Sequence, residues 1–196
     1  MQSNPAPETN LMQKLDYNVV IITQYHTLMG TVDLKDRRFS DVLNEEHLSA
    51  IAMRDVRIAR LAAPSKVIDQ HTTAMLSKDQ IILAFETQPK ALTAKRLYGY
   101  VKKSAHRVFI ILDEVEVRGY IHTTGGLELP DVHRFITTQR EHFLPVTQAV
   151  VTFTSDERFV IRQDSVIVNM QYLHYIAKLP AEPKPAPVRP DVAEED

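Results

Sequence analysis

Two stretches of the chain carry dense β-branched and aromatic residues, "NVVIITQYHTLMGTVDL" from Asn18 to Leu34 and "RVFIILDEVEVRGYIHT" from Arg107 to Thr123. Each breaks in the middle at a polar group, "QYHT" or "DEVE", as two strands joined by a tight turn do. Val19, Ile21, Ile22, Gly30 and Val32 stand at one constant spacing from Val108, Ile110, Ile111, Gly119 and Ile121. The correspondence continues with small shifts: "AIAMRDVRIARL" answers "FLPVTQAVVTF", and "AMLSKDQIILAF" answers "FVIRQDSVIVNM", with Leu76, Asp79, Ile81 and Ile82 set against Ile161, Asp164, Val166 and Ile167. With Asp41-Val42 set against Asp131-Val132, four blocks in a shared order predict a duplicated unit.

Most of the unit reads as β. Leu48, Ile51, Asp55 and Ile58 fit a helical spacing as well as a strand, but the matching segment holds Pro145 followed by Val150 and Val151, which belong in a strand. Gly30 and Gly119 are structural positions. Each lies inside the second strand, where an isolated glycine marks a bulge or a close backbone approach. Between the second and third strands, "RRFSDVLNEE" predicts one helical turn over "DVLN", with Ser40 or Asp41 as its cap. The expected fold is mainly β: two tandem small β-barrel-like units of about four to five strands each, with one short helical turn per unit. The expected divisions are a disordered segment 1–16, a first β repeat 17–86, a basic connector 87–106, a second β repeat 107–177, and a disordered Pro-rich acidic tail 178–196.

This pattern resembles a family of short bacterial domains with no established activity, through "RRFSDVLN" followed by a strand and "SKDQII". It has a weaker resemblance to the Sm-like barrels, carried by the glycine of the second strand, by Asp41 and Asn44 of "DVLN", and by Arg162 and Asp164 of "VIRQDSVIV". The second likeness implies a small barrel whose D-x-x-N segment and arginine-aspartate turn line an RNA site. Gln163 and Lys78 stand where that turn carries glycine, and Arg134 stands in the second unit where the first has Asn44.

Composition narrows the chemistry. The chain of 196 residues is 44% hydrophobic and 24% charged, ordinary globular usage, with a net charge of -2 that supplies no overall attraction to nucleic acid or acidic membranes. The absence of cysteine removes disulfides, thiolate metal sites and cysteine nucleophiles, and fits a cytoplasmic chain. No basic leader and no apolar run of about 18 residues is present, so no membrane association is expected. Nucleophile elbow, P-loop, dinucleotide and zinc-protease signatures are missing, and the eight histidines are scattered. His47 beside Glu45 and Glu46 is the densest local group, but three adjacent residues on one regular element cannot all face one ion. No catalytic residue, metal site or cofactor is expected.

The connector is electrically distinctive. Lys90, Lys95, Arg96, Lys102, Lys103 and Arg107 occur without an acidic residue between them and with Tyr98 and Tyr100 interleaved, a combination suited to phosphates and stacked bases, or to a solvated linker. Arg54, Arg57 and Arg60 would extend the patch only from one face, and a regular strand turns Arg57 away from the other two. The expected function is therefore a non-catalytic interaction or assembly module that binds a protein partner or itself. The alternative is single-stranded RNA or DNA binding through the connector and the Sm-like positions, and a third is a small-molecule site between the two units.

Overall fold

Alternating apolar positions bounded by short polar turns produce ten strands in the computed structural model, which describes residues 18–87, 103–124, 142–154 and 156–180. They are β1 (Val19–Ile22), β2 (His26–Thr31), β3 (Ala50–Arg60), β4 (Ala63–Ser77), β5 (Leu83–Glu86), β6 (Ser104–Leu112), β7 (Val115–Thr123), β8 (Phe143–Phe153), β9 (Asp156–Asn169) and β10 (Leu173–Lys178). One short helix, α1 (Phe39–Leu43), follows β2, and single 3₁₀ turns at Lys78–Gln80 and Met170–Tyr172 lead into β5 and β10. All ten strands join one antiparallel sheet in the order β10-β6-β7-β8-β9-β5-β1-β2-β3-β4.

The expected pair of barrel-like units is corrected by that order. A five-stranded barrel closes when its fifth strand returns to its fourth, but β5 pairs with β1 on one side and with β9 on the other. Both of its edges are spent, so among the described residues β4 has β3 as its one strand partner and β10 has β6. The sheet stays open. Its two halves, β5-β1-β2-β3-β4 and β10-β6-β7-β8-β9, nevertheless have the same internal order.

Register agrees in detail between the halves. Val19 faces Gly30 and Val108 faces Gly119. Next to each glycine the pairing slips, between Met29 and Thr31 against β3 and between Arg118 and Tyr120 against β8. The extra residues are Asp55 (φ 51°) and Gln148 (φ 48°), both left-handed, which makes each site a β-bulge that bends the third strand of its half. The glycines themselves are needed for space. A Cβ on Gly30 would lie 3.0 Å from the Arg54 carbonyl oxygen, and one on Gly119 would lie 2.7 Å from that of Thr147. The bulge also changes a sequence expectation: Arg54 and Arg57 face Thr31 and Met29, which are two apart on β2, so the inserted residue returns both arginines to one face.

Burial explains why the apolar runs are so dense. Val19 and Ile21 enter a cluster with Leu28, Val32, Phe39, Leu43, Met53 and Val56, while Val20 and Ile22 enter the other cluster with Met29, Leu83 and Phe85. That second cluster also contains Val108, Ile110, Val117, Val146, Val151 and Val168, so the far face of the first half shares a core with the second half. Each fully buried aliphatic side chain stabilises the fold by roughly 1.5–3 kcal/mol. Pro145 fits its strand because the pairing of β8 with β7 stops at Thr147, leaving the proline in contact with β9 only.

Helix α1 begins one residue before the expected caps. Arg38 is the extended residue ahead of it and makes no side-chain cap bond, and Phe39 is completely buried, so the first turn starts where Phe39 enters the core. Ser40 and Asp41 lie within the helix. The Phe39 N–H instead donates to Glu86 Oε1 of β5 at 3.3 Å, a partner no local motif would reveal.

Candidate interaction surfaces

Positions singled out from the sequence fall into three groups. Lys90, Lys95, Arg96, Tyr98, Tyr100 and Lys102 lie outside the described residues, as do residues 1–17, 181–196 and the segment of the second half that would answer α1. Lys103 is exposed just before β6, and Arg107 is partly buried within it. Arg162 and Asp164 are exposed in the middle of β9, where Arg162 faces Val150. The turn expected around them is continuous strand, because the β8–β9 ladder runs across "VIRQDSVIV" with Val166 and Val168 buried in the core.

Asp41 is exposed on α1, whereas Asn44 is committed to a tie between the halves. Its Nδ2 donates to the Phe143 carbonyl at 2.8 Å and its Oδ1 accepts the Phe143 N–H at 2.9 Å, so one side chain completes both backbone groups at the start of β8. Asn18 treats Val32 the same way, with both bonds at 2.9 Å. Asn169 is the third such residue: it donates to the Ile81 carbonyl at 2.8 Å and accepts the Gln171 N–H at 3.0 Å.

Asn44 and Asn169 frame the joint between the halves. There Leu83 faces Val168 and Ala84 faces Ile167, while the Asn169 N–H donates to the Ile82 carbonyl at 3.0 Å. The Tyr172 hydroxyl donates to the Asp79 carbonyl across the same seam. Burial, with the carboxylates of Asp113 and Asp79 nearby, raises the Tyr172 phenol above its ordinary range. Beside the seam, Arg37 Nη1 reaches Glu45 Oε2 at 2.8 Å, and the buried Lys78 ammonium donates to the Glu45 carbonyl at 2.8 Å. The Arg37 hydrogen bond lowers the Glu45 carboxyl below its usual value, and desolvation lowers the Lys78 ammonium. With its ammonium held by a backbone carbonyl, Lys78 latches the loop after α1 to the end of β4.

The outer edges contrast with that seam. Strand β4 is exposed at every residue from Ser65 to Thr73, and its charged residues, Lys66 and Asp69, leave Gln70–Ser77 without an Asp, Glu, Lys or Arg. Met75 is 70% exposed there, and on β10 Tyr175 is 51% exposed. Sheet edges in monomeric proteins are normally blunted by charge, proline or a bulge; β4 carries Pro64, Lys66 and Asp69 in its first half only, and β10 has one register shift, between Leu173 and Tyr175. Around Tyr175 lies a partly exposed aromatic group: its ring meets Phe109 edge-on at 6.3 Å, and the Arg118 guanidinium sits 4.2 Å above the Phe109 ring.

Other sites are poorer. An open depression of about 460 Å³ is lined by Tyr25, His26, Arg60, Leu61, Ile68 and Glu114, with only Arg60 and Glu114 carrying formal charge. Among the described residues, no three His, Asp or Glu side chains gather as metal ligands, and no helix is long and apolar enough to cross a membrane. No protein-family profile matches this chain, and neither a curated protein nor a solved structure matches it.

Proposed function

We propose that the protein is a non-catalytic assembly module that works by adding strands at the outer edges of its sheet. One observation carries this reading: among the described residues the ten-stranded sheet ends on both sides in strands with no second strand partner, and the largest exposed apolar side chains on those strands, Met75 and Tyr175, stand open to solvent. Backbone groups along such an edge supply a ready template for another strand, and alternate side chains supply selectivity. The tying of Asn44 to Phe143 and the burial of Lys78 against Glu45 support a rigid scaffold role for these polar residues.

Sedimentation of the full chain over a range of concentrations tests the proposal, with hydrogen exchange along β4 and β10 followed in parallel. The wild-type chain is expected to associate, with exchange slowing at Thr72–Leu76 and His174–Ala177, and the double variant Met75→Lys with Tyr175→Lys is expected to remain monomeric. A wild-type chain that stays monomeric, or a double variant that associates equally well, would overturn it.

A further inference from the structure

The joint inside the molecule indicates what fits its ends. Residue equivalence between the halves follows from the pairing alone. Thr31 and Tyr120 follow the matched glycines directly and face Arg54 and Thr147, so Arg54 corresponds to Thr147 and, three residues earlier, Ile51 corresponds to Leu144. Ile51 faces Leu76 and Leu144 faces Val168, so Leu76 corresponds to Val168, and Met75 to Ile167. Leu76 therefore answers Val168, seven residues beyond the Ile161 that the sequence pattern suggests. On the other side, Ile22 faces Leu83 and Ile111 faces Tyr175, so Leu83 corresponds to Tyr175, and Ala84 to Ile176.

The four residues that make the internal joint are thus matched by four at the free ends. Leu83, Ala84 and Val168 are completely buried and Ile167 is 5% exposed, while their counterparts Met75 and Tyr175 are 70% and 51% exposed. Burial at one place and exposure at the equivalent place differ because β5 has β9 beside it and β10 has no neighbour on its outer side among the described residues. The face behind the joint follows suit: Val20, Ile22 and Phe85 are buried, while their counterparts Phe109, Ile111 and Ala177 are partly exposed.

We infer that β10 of one molecule pairs with β4 of a second copy of this chain, repeating the β5–β9 joint, so that copies add head to tail. Tyr175 then faces Leu76 of the neighbour, Ile176 faces Met75, and the neighbour's Ser77 N–H, in the place of Asn169, donates to the His174 carbonyl. The two ends are different surfaces, so the contact is heterologous. It propagates until the accumulated rotation closes a ring, or continues as a filament. This inference rests on the edge-assembly reading and adds which edge meets which.

Complementation distinguishes the two claims. A Met75→Lys chain keeps a sound β10 and a Tyr175→Lys chain keeps a sound β4. Each alone is expected to sediment as a single chain, and their equimolar mixture as a species of two chains that grows no further. Thermal melts of both variants verify their folding, which two exposed positions should preserve. An independent arm exploits the absence of cysteine: Met75→Cys combined with Ile176→Cys is expected to oxidise into covalent ladders, since directly opposed strand residues lie within disulfide reach. Wild-type association that survives in Tyr175→Lys, or Met75→Cys alone giving disulfide dimers in full yield, would show β4 meeting β4, which overturns the head-to-tail contact and leaves edge assembly standing. A monomeric wild-type chain overturns both.

Discussion

Gly119 is where one added methyl group has the most calculable effect. Its Cβ would sit 2.7 Å from the Thr147 carbonyl oxygen and 2.7 Å from Val146 Cγ1, with the Ala149 Cα at 3.3 Å. A valine methyl can move aside, but the carbonyl belongs to a strand bonded on both sides and bent at Gln148, so β7 and β8 must separate. Forcing a methyl group into such packing costs roughly 1–3 kcal/mol, and the smaller backbone entropy of the unfolded alanine chain returns about 0.4–1 kcal/mol. Two clashes at 2.7 Å place the cost in the upper part of that range, about 2–3 kcal/mol, so the net loss for Gly119→Ala is about 1–2.6 kcal/mol. In a chain of this length that lowers the melting midpoint by about 2–10 °C. Gly30→Ala provides the internal control. Its closest backbone contact is 3.0 Å, so a shift of a few tenths of an ångström relieves it and the net change should be near zero. Denaturant and thermal unfolding of both variants measures the difference. Equal stability of Gly119→Ala and wild type, or a larger loss for Gly30→Ala, would refute the close-approach argument.

Other outcomes follow from single contacts. Asn44→Ala leaves the Phe143 N–H and carbonyl without their partner and is expected to cost about 1–3 kcal/mol in denaturant unfolding. Gln148→Val, a β-branched side chain at φ 48°, is expected to cost more than about 1 kcal/mol, whereas Gln148→Gly is tolerated. The Glu45 carboxyl is lowered on folding, so the stability it contributes is present above its unfolded value and is lost as pH falls through its folded value; unfolding curves of wild type and Glu45→Gln should converge in acid. Tyr172 is raised, so its contribution is complete below the ordinary phenol range and disappears as pH rises through the folded value. A phenolate absorbance titration of the wild type should show one phenol above the ordinary range that is missing in Tyr172→Phe. A fragment ending at Thr87 uncovers Val20, Ile22, Leu83 and Phe85 and is expected to melt well below the full chain, a result that equal midpoints would contradict.

Local pattern alone determined the elements. Period-two runs of Val and Ile, glycine inside a strand, and Pro145 beside valines are properties of neighbouring residues, and they correctly indicate strands and crowded glycines because a strand's two faces are decided within a few residues. How the strands combine was decided only in three dimensions. Whether β5 closes on β4 or bonds to β9 depends on residues more than eighty positions away, and either choice satisfies the same local pattern. The bulges at Asp55 and Gln148 are likewise invisible locally, since neither residue is a glycine, yet each reverses which face the rest of its strand presents. Asn44 shows the limit most plainly. As part of "DVLN" it looks like a ligand-binding side chain, but the Phe143 backbone brought against it by the fold takes both of its hydrogen-bonding groups. The exposed Met75 and Tyr175 acquire meaning the same way, because only the paired register shows that their counterparts are buried in the joint between the halves.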